Sequence, residues 1–127
     1  MVETLVHGDL TRRILGSAME VHRRLGPGLL EGTYRACLLH QLAKDCIEAR
    51  SEVPIPLRYN GLELEASYRA DVIVENAVLL ELKAAESILP IHQAQVLTYL
   101  KLSNLRVGLL LNFNVTRLQS GIHRFVR

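Results

Sequence analysis

Leu10, Ile14, Ala18, Val21 and Leu25 recur at intervals of three and four, the spacing of one helical face. They predict a helix over about residues 10–25, with Asp9 as its N-cap. Gly26-Pro27-Gly28 stops it, because glycine accepts a left-handed cap and proline cannot continue a helix. A second helix is predicted over about residues 30–44, where Tyr34, Leu38 and Leu42 return every four residues. Glu31 sits in its first turn, where the helix dipole favours an acid, and shares a face with Tyr34.

The period then changes from helical to alternating. Val53, Ile55, Leu57 and Tyr59 alternate with Glu52, Pro54, Pro56 and Arg58 up to Asn60-Gly61, a strong signal for a two-residue hairpin. That turn pairs Tyr59 with Leu62, Leu57 with Leu64, Ile55 with Ala66 and Val53 with Tyr68, all apolar on one face. Pro54 and Pro56 mark the first strand as an edge, since proline cannot donate to a second neighbour. The second strand continues its apolar face through Tyr68, Ala70, Val72 and Val74, leaving Asp71 on the other face with Glu63, Glu65, Ser67 and Arg69. A third strand, about residues 78–84, sets Leu79, Glu81 and Lys83 on one face and Val78, Leu80 and Leu82 on the other. A two-residue turn at Glu75-Asn76 pairs Asp71 with Leu80 and separates the two acids. A three-residue loop through Ala77 pairs Asp71 with Glu81 instead, and Asn76 tolerates the backbone such a loop needs.

Pro90 suits the first turn of a third helix over about residues 90–103. Ala94, Leu97 and Lys101 form one row along it, and Ile91, Gln95, Thr98 and Leu102 a neighbouring one. Leu105 to Phe113 follows, rich in Leu and Val without alternation, as in a strand covered on both faces. A last short strand is expected from Leu118 to Val126. The order of helix, helix, three-stranded meander, helix and strand places the chain in the α/β class with a mixed sheet. The helix between the third and fourth strands implies a right-handed crossover and a parallel pair.

Composition narrows the classes. The chain has 127 residues, 49% hydrophobic and 22% charged, which fits one globular domain over residues 1–127. Two cysteines, Cys37 and Cys46, show no metal-ligand spacing, and the expectation is free thiols in a reducing cytoplasm. No signal peptide or membrane-length apolar run is read. A net charge of +2 permits a nucleic-acid partner without arguing for one.

The chemistry lies in Asp71, Glu81 and Lys83. Two carboxylates on facing strands, with an ammonium two residues beyond one of them, form a set suited to Mg²⁺ or Mn²⁺, which take hard oxygen ligands. The backbone carbonyl of Leu82 lies between Glu81 and Lys83 as a further oxygen. The bland alternative is an exposed strand face of opposite charges. Arg69 shares the predicted face of Asp71 and could meet a phosphate or pair with Glu63 or Glu65.

Asp71 followed by Glu81-Leu82-Lys83, on adjacent strands before a helix, resembles the PD-(D/E)XK nuclease superfamily, with Ala70 where that label has proline. Gly28-Leu29-Leu30-Glu31-Gly32-Thr33-Tyr34 is similar to the signature of the GxxExxY family within it. Tyr68-Arg69-Ala70-Asp71, His92-Gln93-Ala94-Gln95, Tyr99-Leu100-Lys101 and Val107 to Phe113 also resemble that family. The resemblance implies a restriction-endonuclease-like αβββαβ core with an extra N-terminal helix. It implies a metal-dependent nuclease in which Asp71 and Glu81 hold the ion, Glu31 is a third acid near it, and Lys83 positions the attacking water. Gln95 would lie near Lys83 or the scissile phosphate, and Tyr34 would touch a ligand or simply pack. DNA is expected ahead of RNA. A homodimer would supply the surface that so small a domain lacks for two strands. A binding module on the same fold, without cleavage, is the alternative.

Overall fold

In the computed structural model, residues 5–127 are described, apart from the side chains of residues 66 and 67. Helices α1 (Gly8–Leu25) and α2 (Glu31–Lys44) follow the periodicity. Ile14, Ala18 and Val21 of α1 pack with Tyr34, Leu38 and Leu42 of α2 in one buried cluster. The N-cap of α1 is His7 rather than Asp9. Asp9 lies one step inside the helix, where the dipole favours it, and pairs with Arg12.

The loop between these helices needs its glycines. Gly26 and Gly28 take φ of 68° and 102°, a region closed to most side chains. Tyr34 holds this loop from inside. Its hydroxyl donates to the Gly26 carbonyl at 2.6 Å and accepts from the Leu29 amide at 3.2 Å. Its ring stacks on Phe113 with centroids 4.7 Å apart.

Five strands form one sheet in the order β1-β2-β3-β4-β5: β1 Ala49–Tyr59, β2 Leu62–Val74, β3 Val78–Lys83, β4 Val107–Asn112 and β5 Ile122–Val126. The β3–β4 pair is parallel, as the intervening α3 (Pro90–Ser103) implies; the other pairs are antiparallel. Residues 118–121 form a single 3₁₀ turn, so the last strand starts later than the pattern suggested. Helices α1 and α2 cover one face of the sheet, and α3 covers the other. Strand β4 lies between the layers, with Leu109 and Leu111 packed on one side and Leu110 on the other. That double cover explains its lack of alternation.

Two readings of side-chain direction are corrected. The buried face of α3 is Val96, Tyr99 and Leu100, neither of the two rows read from the sequence, and Ile91 and Leu97 are exposed. The β1–β2 hairpin turns at Asn60 and Gly61 as expected, both with positive φ, and β1 is an edge strand. The pairing Leu57↔Leu64 also holds, but the register then shifts, giving Ile55↔Tyr68 and Val53↔Ala70. The shift occurs at Pro56, whose missing N–H removes a ladder bond there. The expected partner of Ile55, Ala66, has its side chain outside the described residues.

Gly108 on β4 is the point of closest approach for α3. A Cβ there would meet Val96 Cγ1 at 2.8 Å and Leu100 Cδ1 at 3.3 Å. Gly108→Ala should therefore push α3 off the sheet and cost about 1–3 kcal/mol, measurable as a lower denaturant midpoint at unchanged slope.

Candidate metal and phosphodiester site

The connection from β2 to β3 decides the site. Val74 pairs with Val78 across a three-residue loop. Glu75 and Asn76 in that loop take φ of 49° and 52°. The register runs on through Val72↔Leu80, so Asp71 comes opposite Glu81. This is the odd loop on which the juxtaposition depended.

At that pair the backbone ladder stops and side chains take over. The Asp71 amide donates to Glu81 Oε1 at 3.2 Å, and the Leu82 amide donates to Asp71 Oδ2 at 2.8 Å. Each carboxylate thus replaces a strand–strand bond across the gap. β2 also twists here. Ala70 packs on the α3 side while Val72 packs on the α1/α2 side, although strict alternation would put both on one face. Opposite Asp71, Glu52 has a φ of 48° and no ladder partner, the mark of an irregular pair.

Burial and charge act together on Glu81. It is only 5% exposed. Removal from water, then the neighbouring Asp71 carboxylate, push its pKa from 4.5 up to about 8; the bond from the Asp71 amide and the Lys83 ammonium oppose that rise. Arg35 of α2 lies on the other side of the pair. Its guanidinium is 3.8 Å from both Asp71 Oδ1 and Glu52 Oε1.

The remaining expected residues distribute unevenly. Lys83 is half-buried at the end of β3, where its carbonyl accepts from the Phe113 amide at 2.9 Å. Leu82 is buried, with its amide committed to Asp71. Gln95 is half-buried and donates to Tyr99 Oη at 2.9 Å. Among the described residues, no three acid, histidine or cysteine side chains gather as a metal cage, so Glu31 does not join Asp71 and Glu81. Tyr34 is fully buried with its hydroxyl bonded to the loop, so it packs rather than presenting itself to a ligand. Arg69 is exposed, and Glu63, one of its two expected partners, pairs with Arg58 instead at 3.2 Å.

Three residues at the site were not singled out from the sequence. Arg35 is one turn beyond Glu31, a spacing that could have drawn attention to it. Tyr99, 6% exposed on α3, has its hydroxyl pKa raised by burial and then by the carboxylates of Glu81 and Asp71, against the Gln95 bond. Asn112, at the end of β4, accepts from the amides of Ala85 and Asn114 and donates to the Ala85 carbonyl. It ties down the chain just after Lys83. Both fall inside stretches that resemble the family, Tyr99-Leu100-Lys101 and Val107 to Phe113, but no role followed for either, since each acts on residues of another element.

A sequence profile of the PD-(D/E)XK nuclease superfamily matches residues 8–125. Among solved structures, the chain is similar to one titled "Crystal structure of SSO0001", at 18% identity and a TM-score of 0.47, covering 95% of this chain and 79% of that one. No curated protein matches.

Glu81 ties stability to pH in a definite direction. Its proton stays bound in the folded chain up to about pH 8, while the unfolded chain releases it near 4.5. The stabilisation is therefore full below pH 4.5 and is lost as pH rises to about 8, a change on the order of a few kcal/mol. Glu81→Gln keeps the shape without ionising. Its melting temperature in EDTA should exceed that of the wild type by roughly 10 °C at about pH 8.5, with the two nearly equal at about pH 4.5.

Proposed function

The chain belongs to the PD-(D/E)XK nuclease superfamily, and we propose that it hydrolyses phosphodiester bonds of nucleic acid with a divalent cation, Mg²⁺ or Mn²⁺, at Asp71 and Glu81. The observation that carries this is the meeting of those two carboxylates where β2 and β3 part. The donor set suits a hard ion. Each carboxylate keeps an oxygen that is not used on the backbone, Oδ1 of Asp71 and Oε2 of Glu81. The repulsion that helps raise the Glu81 pKa is what a cation between them would offset.

In this reading the Leu82 carbonyl would be a further ligand. When bound, the ion would polarise the phosphate and acidify a coordinated water. Lys83 orients that water and offsets charge that develops on the phosphate. Arg35 holds Asp71 in place, and Gln95 acts beside the phosphate together with Tyr99. Arg69, exposed on β2, contacts the strand outside the cleaved bond. DNA is the preferred substrate ahead of RNA. A homodimer is proposed for cutting paired strands, and the Gly28, Glu31, Tyr34 spacing supports membership of the GxxExxY group.

A second reading, a module that binds nucleic acid without cutting it, draws on one observation: no third acid gathers at the pair among the described residues. Calorimetric titration with Mn²⁺ separates the two. Wild type should bind and Glu81→Ala should not. Lys83→Met should retain the metal yet lose roughly 10²–10³-fold in cleavage rate. Absence of both metal binding and cleavage in the wild type would favour the module.

A further inference from the structure

A groove of about 260 Å³ runs between α3 and the β1–β2 hairpin. Leu57, Ile91 and Leu102 give it apolar walls, and Tyr68, Gln95 and Tyr99 give it aromatic faces and an amide. The rings of Tyr68 and Tyr99 are 6.2 Å apart and inclined at 55°. Tyr99 is buried at 6% exposure and held by Gln95, whereas Tyr68 keeps 45% of its surface in water. Two of its residues lead toward the acid pair: Tyr68 lies on β2 three residues before Asp71, and the Tyr99 hydroxyl feels the carboxylates of Glu81 and Asp71.

We infer that this groove is a nucleobase subsite, in which an unpaired base next to the cleaved phosphate stacks on Tyr68 and meets the Gln95 and Tyr99 polar groups with its edge. Three features favour a base over another occupant. A planar, partly polar ring matches a slot with apolar walls and an amide at one side. An aromatic face accepts any base, since every base has a π-face. A base inside a duplex cannot reach such a slot without leaving its stack. The substrate class that follows is single-stranded nucleic acid, or a strand with a base swung out, such as an overhang or flap. The inference rests on the nuclease reading for the position of the phosphate, but the stacking itself does not require cleavage.

The chain contains no tryptophan, so Tyr68→Trp provides a single reporter. In EDTA at low salt, a single-stranded oligothymidylate should quench its fluorescence, and an abasic strand of equal length should not. Tyr68→Leu should bind the natural strand roughly 5–100-fold more weakly than wild type and the abasic strand equally well. Equal affinity of wild type for both strands would overturn the inference, as would no measurable binding of the natural strand. Sedimentation supplies the other decisive result: a wild-type dimer that Tyr68→Leu converts to monomer would mean that a second copy covers the groove. Metal-dependent cleavage that survives such failures would leave the nuclease reading standing. Stacking without cleavage of any strand would remove catalysis and keep the subsite.

Discussion

The structure turns on two carboxylates meeting across a gap in a sheet. Asp71 and Glu81 each accept a backbone amide from the opposite strand, so the pair closes the ladder it interrupts. Like charges this close, one of them buried, favour a shared proton or a cation. The encounter exists only because of the three-residue loop before β3. Side chains alternate with period two, so one residue fewer would have sent Glu81 to the opposite face. Glu75 and Asn76 hold the left-handed backbone that permits this loop, an unfavourable conformation that the flanking strand pairing must offset.

The rest of the frame keeps that gap from drifting. Asn112 closes three hydrogen bonds around Ala85 and Asn114, and the Phe113 amide bonds the Lys83 carbonyl. The end of β3 is thereby fixed to the fully buried β4. Phe113 in turn stacks on Tyr34, which holds the loop between α1 and α2. From the other face, close contact over Gly108 sets the height of α3 and so the position of Tyr99. Local choices on several elements thus converge on one pair of acids.

β2 pairs with β3 only over Val72 to Val74, although β2 begins at Leu62. Much of the β1–β2 hairpin is therefore a two-stranded arm, and such ribbons need packing on one face to persist. Here that packing comes from α3, through Ile55 and Ala70, whereas Tyr59 and Leu62 nearer the turn remain exposed. Among the described residues, no helix is long and apolar enough to cross a membrane.

Element types, their order and the hairpin turn were legible in the sequence, because each depends on local periodicity or on residues that tolerate special dihedrals. Ile14, Leu38 and Leu42 announce their helices, and Asn60-Gly61 its turn. The acid–lysine set and its superfamily resemblance were legible for the same reason, as short motifs in fixed order. What tertiary structure decided was geometry that no local rule specifies. The register shift at Pro56, the buried face of α3 and the exclusion of Glu31 from the acid pair all depend on how layers pack. Arg35, Tyr99 and Asn112 reach the site from other elements across the sheet. The sequence names two possible registers for Asp71 and Glu81, and only the packed sheet selects one, since burial of Val72, Val74, Val78 and Leu80 on one face permits no slip.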